Sequence, residues 1–341
     1  MPTARMSDIA KMAGVSTSAV SLALNGRDGV SPETRRRIAE IAASLGWYPN
    51  AAARALTGRR VNAIGVVLTR PPQYLGREPF FMSFLAGLQA GLTGVDGSVL
   101  MHITTSVEEE VATYRRWSAE KRVDGLVLLD LQVNDDRPRI VTELDLPAVV
   151  VGSPQHAGGL PAVWTDDDSA IRAAVTYLAS QGHSRLARIT DHSRMAHTSI
   201  RTRAFLSACH DLDLPTPAVV EIDPSNGGTQ EAIEAVLRRP NRPTGLLFDV
   251  DLMAIAALNV ARSLGLAVPA DLSIITYDDS LLCEATQPAI TALNHDVHAY
   301  GAHAARMLLN VLDGEPQPDE LDALPQLIVR ESSGARGTPT P

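Results

Sequence analysis

Few side chains in this sequence are spaced for covalent or metal chemistry. Asp166, Asp167 and Asp168 set three carboxylates in a row, whereas calcium loops place their acids at alternate positions. The run reads instead as a cap on a helix starting near Ser169, where negative charge suits the helix dipole. His192 and His197 have no third ligand at useful spacing, and Ser184 in "GHSRL" lacks the closing glycine of a nucleophile elbow. Cys209 and Cys283 form no CxxC and read as buried, reduced thiols. Neither a Walker loop nor a GxGxxG after a strand occurs. No catalytic residue, metal or cofactor is therefore expected, and the chain is not expected to be an enzyme.

The elements around these residues are of two kinds. In "DIAKMAGVSTSAVSLALNG" (residues 8–26) two short apolar-periodic segments flank Gly14-Val15-Ser16. Gly14 can end a helix in the left-handed conformation, and Ser16 can cap the next one. That is the plan of a helix-turn-helix unit. In "VSPETRRRIAEIAASLGWYPN", Ser31 and Pro32 open a third helix with Ile38, Ile41, Ala42 and Leu45 on one face, and Gly46 closes it. "PNAAARALTGRR" follows, too short to be a stable helix alone in water. From Asn62 onward, apolar strands alternate with helical runs. One set of strands is expected at 63–68, 98–104, 123–130 and 147–152. A second is expected at 162–166, 185–190, 218–222, 245–250 and 272–278. Such alternation predicts parallel sheets covered by helices, in two lobes with a ligand cleft at the strands' carboxyl ends.

Charge separates the same regions. The chain carries net charge −9, but residues 1–60 hold nine Lys/Arg against four Asp/Glu, net +5, and the remainder holds 21 against 35, net −14. A basic head on an acidic body implies an anionic partner for the head alone. No signal-peptide pattern and no run of about 18 apolar residues is present, so a soluble, cytoplasmic protein without a membrane partner is expected.

The motifs, taken in order, resemble the LacI/GalR family of bacterial transcription regulators. "DIAKMAGVSTSAVSLALNG", "VSPETRRRIAEIAASLGWYPNAAARALTGRR" and "IGVVL" carry the resemblance in the first part. "EPFF", "RVDGLVLL", "LASQGHSRLARI", "RTRAF", "VPADLSIITYDDS" and "PAITAL" carry it through the body. The resemblance implies a small all-α helix-turn-helix head (1–48), a hinge helix (49–60) and an α/β body of two parallel-sheet lobes, periplasmic-binding-protein-like (61–332). Lobe 1 would comprise about 61–162 and 292–322, and lobe 2 about 163–291 and 323–332, with a disordered tail at 333–341. It further implies a repressor, a homodimer or tetramer, on near-palindromic double-stranded operator DNA. A small effector, a carbohydrate by resemblance, would control its affinity.

By the same resemblance, Thr17, Ser18 and Leu22 occupy base-reading positions. Leu22 stands where an arginine is common; it favours a thymine methyl over guanine, unless it is simply core. Ser16, Ser21, Asn25, Ser31, Thr34 and Asn50 match phosphate contacts, and Ala53 and Leu56 match the hinge, with Leu56 as a minor-groove wedge. Arg201 in "RTRAF" and Asp278 in "YDDS" match an effector-clasping pair, since a guanidinium donates and a carboxylate accepts. An internal Arg–Asp ion pair is the alternative. Phe81 and Trp164 can pack on a sugar face or equally belong to the core. Val250 replaces the family's usual asparagine, with Asp249 placed to compensate, and His295 matches a ligand-facing position. A solute-binding transport protein would need export, and a sugar kinase would need a phosphate-cradling loop such as DxGxT; neither feature is found.

Overall fold

The computed structural model describes residues 4–24, 28–47, 60–70, 79–191, 194–222 and 228–337. The chain divides into two compact units, Met1–Val61 and Asn62–Pro341.

The first unit holds α1 (Met6–Ala13), α2 (Thr17–Leu24) and α3 (Pro32–Ser44). Gly14 ends α1 at φ 64°, the left-handed conformation that costs glycine least. The Ser16 hydroxyl accepts from the Ala19 N–H at 3.1 Å, and Ser31 accepts from Thr34 N–H at 3.3 Å ahead of Pro32. Each cap satisfies a donor that the first turn leaves unpaired. Ile9, Ala10, Ala13, Val20, Ala23, Ile38 and Ala42 form the core of this unit. Small side chains let three short helices approach closely, and Arg37 donates to the Ala13 carbonyl at 2.7 Å.

The second unit contains two six-stranded sheets. The first comprises β1 (Ala63–Thr69), β2 (Ser98–Thr104), β3 (Gly125–Leu128), β4 (Ala148–Val151), β5 (Ala162–Thr165) and β11 (Glu320–Ala323), in the order β11-β5-β4-β3-β1-β2. The second comprises β6 (Leu186–Asp191), β7 (Ala218–Ile222), β8 (Gly245–Phe248), β9 (Ser273–Thr276), β10 (Thr291–Asn294) and β12 (Gln326–Ile328), in the order β12-β10-β9-β8-β6-β7. Every pairing is parallel except β10 with β12. Alternate side chains of β1 go to opposite faces: Ile64, Val66 and Leu68 join one core and Val67 the other. That is the period-2 geometry of a strand buried on both sides. Helices α4 (Pro79–Gly91) and α12 (Val297–Leu312) cover one face. They cross at Gly87 and Gly301, where an added Cβ would lie 2.0 Å from the His298 carbonyl oxygen and 2.2 Å from that of Phe84.

Three expectations are corrected. The strand at 162–166 does not open the second set: β5 completes the first sheet, pairing with β4 through Val150 and Ala162. The β4–β5 connection holds only a short 3₁₀ turn, Pro154–His156, so the helix that normally marks a parallel crossover is missing. β10 stays in the second sheet, so the first two passages between lobes follow Thr165 and Asn294 rather than 162 and 291, and the third follows Ala323, near the expected 323. Lastly, the start of the expected disordered tail is packed. Ser333 is buried and bonded to Thr291 Oγ1 at 2.7 Å, Arg336 N–H donates to Gln181 O, and Gly337 N–H donates to Ala270 O. Residues 338–341 lie outside the described part.

His183 fastens this C-terminal segment. Its imidazole is buried, with Nδ1 3.1 Å from Thr244 Oγ1 and Nε2 2.8 Å from Ser273 Oγ and 3.1 Å from the Gly334 carbonyl. Burial lowers its pKa, against the Gly334 bond, which raises it. With the folded value depressed, the unfolded chain takes the proton first as pH falls. The contribution of His183 is therefore complete above about pH 6.5 and is lost progressively below it. Urea midpoints at about pH 7.5 and about pH 5.5 should show native protein losing more stability on acidification than His183→Gln does. Equal losses would exclude His183 as the acid-sensitive fastening.

Candidate functional site

In the helical unit, Thr17 and Ser18 are exposed at the start of α2, as helix N-terminal residues entering a groove must be. Leu22, one turn on, is half-buried but outside the head core; its Cδ1 packs over Gly29. Val20 and Ala23 face inward. The Ser16 and Ser31 hydroxyls serve as caps, and Thr34 Oγ1 lies 2.9 Å from Ser31 Oγ. A capping hydroxyl accepts through oxygen and keeps its own proton to donate. Ser21 is half-buried on α2. Asn25, Asn50, Ala53 and Leu56 lie outside the described residues, as does His192.

In the second unit the carboxyl ends of both sheets frame a cleft of about 390 Å³. Arg201, Asp278, Phe81, Trp164, Asp249 and His295 all line it, although they come from separate elements. Asp249 and Asp278 follow β8 and β9, His295 follows β10, and Trp164 is the penultimate residue of β5. Phe81 lies on α4 and Arg201 on α8 (Ala196–Asp211). Phe81 is also core, 2% exposed, with the Arg70 guanidinium 5.0 Å from its ring centre. Trp164 is half-buried at the wall.

Arg201 takes part in internal ion pairs. Its Nε lies 3.2 Å from Asp167 Oδ2 and its Nη1 3.4 Å from Asp249 Oδ1, while the guanidinium sits 3.4 Å from the ring centre of Tyr277. The internal carboxylates are thus Asp167 and Asp249; Asp278, half-buried, stands on the wall beside them. Asp249 is not placed to replace a ligand-binding asparagine. It is 4% exposed, and Arg188 Nη2 holds both its oxygens at 2.6 and 2.7 Å, with Thr190 donating as well. Burial would raise the Asp249 pKa, but Arg188 and Arg201 hold it below the ordinary carboxylate range. Asp167 is likewise more than a cap. It begins α7 (Asp167–Ser180), two residues earlier than expected, and accepts from Tyr277 Oη, while Asp166 is the N-cap, accepting from Ser169 N–H at 3.0 Å.

Sequence reasoning missed Arg188, Asp167, Tyr277 and the Arg70–Asp130 pair at 3.0 Å. Arg188 had a signal: a charged residue within the apolar "RLARIT" must find a partner if its strand is buried. On one side of the cleft the lobes are joined by backbone bonds, Ala196 N–H to Leu131 O at 2.7 Å and Val133 N–H to Arg194 O at 3.0 Å. The His295 Nε2 atom is buried without a partner among the described residues. Burial, and then Arg201, lower the pKa of both His295 and His197. Among the described residues no group of three or more His, Cys, Asp or Glu could hold a metal ion, and no helix is long and apolar enough to cross a membrane.

Residues 5–50 match the bacterial regulatory proteins of the lacI family, and residues 175–333 match the periplasmic binding protein-like domain. The HTH-type transcriptional regulator CelR of Thermobifida fusca is 31% identical over 339 residues, 97% of this chain and 98% of that protein. A solved transcriptional regulator CelR–cellobiose complex superposes with a TM-score of 0.71 at 28% identity, covering 96% of this chain and 99% of that one. The lac repressor dimer bound to operator and an anti-inducer shares the fold, with a TM-score of 0.85 at 23% identity over 98% of this chain and all of that one.

The wall geometry yields a stability test. Asp249→Ala leaves the fully buried Arg188 charge without its carboxylate, so it should cost about 3–5 kcal/mol. Arg188→Leu with Asp249→Ala removes both charges and should recover much of that loss. Chemical denaturation of the three proteins checks this; a double variant no more stable than the single one would contradict it.

Proposed function

The chain belongs to the lacI family of bacterial regulatory proteins and is a DNA-binding transcriptional regulator, and from that premise we infer that it is a repressor whose operator affinity is set by a carbohydrate effector held between its lobes. The observation that carries this reading is the convergence of six residues from separate elements on one cleft at the strand ends, where open α/β sheets bind ligands. Arg201 donates to the effector, Asp278 accepts from its hydroxyls, and Trp164 packs on an apolar face. His295 Nε2 gains the partner it lacks among the described residues. An effector that touches both walls favours the closed arrangement of the lobes. It shifts the equilibrium only by its differential affinity for the two states.

On the DNA side, two heads of a homodimer bind the half-sites of a near-palindromic operator. Thr17, Ser18 and Leu22 read bases. Ser16, Ser21, Asn25, Ser31, Thr34 and Asn50 contact phosphates, and Ala53 and Leu56 enter the minor groove at the centre. The head spans 1–48 and the hinge 49–60. Leu22 has no donor for guanine, so it selects the thymine methyl.

Two experiments test the halves separately. Asp278→Ala should abolish the effector's influence on operator binding while binding without effector persists, since unpaired hydroxyls in a closed site cost about 1–3 kcal/mol or more. An undiminished effector response in gel-shift titrations would exclude Asp278. Leu22→Arg should keep the head folded, because an arginine stem can cover Gly29 as leucine does. It should also move preference towards guanine at one symmetric pair of operator positions, by about 1–3 kcal/mol per base pair. Selection from a randomised operator library reads this directly, and an unchanged base preference would mean that Leu22 does not face the groove.

A further inference from the structure

The charge of the cleft narrows the class of its effector. Among the described residues seven aspartates line it against three arginines, with no lysine or glutamate. Two of the three arginines already donate to carboxylates, Arg70 to Asp130 and Arg201 to Asp167 and Asp249, and the third, Arg203, is exposed. Arg188 behind the wall is fully buried and holds Asp249 through Nη2, while its Nη1 is without a partner among the described residues. Donors at three of the helix starts nearby are also taken up. Asp166 caps α7, Asp296 caps α12 through Ala299 N–H at 2.8 Å, and the Ala196 N–H that opens α8 is given to Leu131 O. These are the groups that otherwise hold a phosphate. Burial and then Arg201 lower the pKa of His197 and His295, which works against either becoming a compensating cation.

We infer that the cleft takes an uncharged, hydroxyl-rich ligand, a saccharide of one or two rings, and rejects the same sugar once it carries a phosphate. A sugar hydroxyl brings a donor, which a wall of carboxylates can accept; a phosphate monoester brings acceptors and about 1.5–2 negative charges, which the excess of aspartates over arginines among the described lining residues repels. Volume agrees with a small ligand, about 390 Å³ being near the lower end of the roughly 300–1,000 Å³ of ligand sites. Aromatic faces from Trp164 and Tyr300 complete an environment suited to a neutral ring.

This inference rests on the carbohydrate reading of the cleft, and calorimetry on the full-length protein separates the two. Glucose, trehalose and cellobiose are each titrated beside their 6-phosphates and their 6-O-acetyl esters, the last as bulky but uncharged controls. The expected result is that at least one neutral sugar binds, and that its phosphate binds about tenfold or more weakly, while the acetyl ester falls between them. A phosphate that binds as tightly as its parent sugar, or more tightly, overturns the inference and leaves the carbohydrate reading standing. An acetyl ester rejected as strongly as the phosphate overturns it too, because shape and not charge then excludes. If no sugar in any form binds while operator binding is intact, the carbohydrate reading itself fails, and this inference with it.

Discussion

A buried guanidinium ties together one wall of the cleft. Arg201 lies between Asp167 and Asp249 and against the Tyr277 ring, and each partner is needed for a physical reason. A cation removed from water must be matched by fixed anions, or its desolvation cost is not recovered. Two anions then need more than one cation, and Arg188 supplies the second from inside the β6 strand. Tyr277 Oη and Thr190 Oγ1 fill remaining acceptor positions on the two carboxylates. The wall is therefore a set of mutually dependent charges rather than independent side chains.

That dependence joins elements distant in sequence. Asp167 begins α7, Arg188 lies on β6, Arg201 on α8, and Asp249 follows β8. All reach the strand ends because parallel strands share one direction, which gathers every carboxyl-terminal loop on the same side. The first lobe contributes its own pair, Arg70 with Asp130, beside the backbone bonds that link residues 131–133 to 194–196. A ligand in the cleft touches groups whose positions are set by both sheets, which is what an effector needs in order to favour one arrangement of the lobes.

Charge has opposite uses in the two units. Residues 1–60 carry an excess of bases, which attract a phosphate backbone without reading sequence. The body carries the acids, and seven of them surround the cleft. Within the head the proposed base-reading residues Thr17, Ser18 and Leu22 are uncharged, so on that reading discrimination rests on shape and hydrogen-bonding groups rather than on bare charge.

The amino-acid sequence by itself determined the local elements. Gly14, Ser16, Ser31 and Pro32 act on their own turns, and the head helices start and stop where those residues put them. The apolar run of 98–104 is β2 to the residue, and 218–222 is β7, because strand period is a property of neighbours in the chain. The six cleft residues were legible through motif order, which carries spatial information from relatives. Only the tertiary structure decided which sheet β5 joins, that β10 stays in the second sheet, and that Ser333 packs against Thr291. It also decided that Arg201 bonds to Asp167 and Asp249. An apolar strand has the same periodicity in either sheet, and a carboxylate looks the same whether it caps a helix, neutralises an arginine or awaits a ligand. Those choices depend on which groups meet after the chain has crossed between lobes three times, and distance along the chain does not encode that.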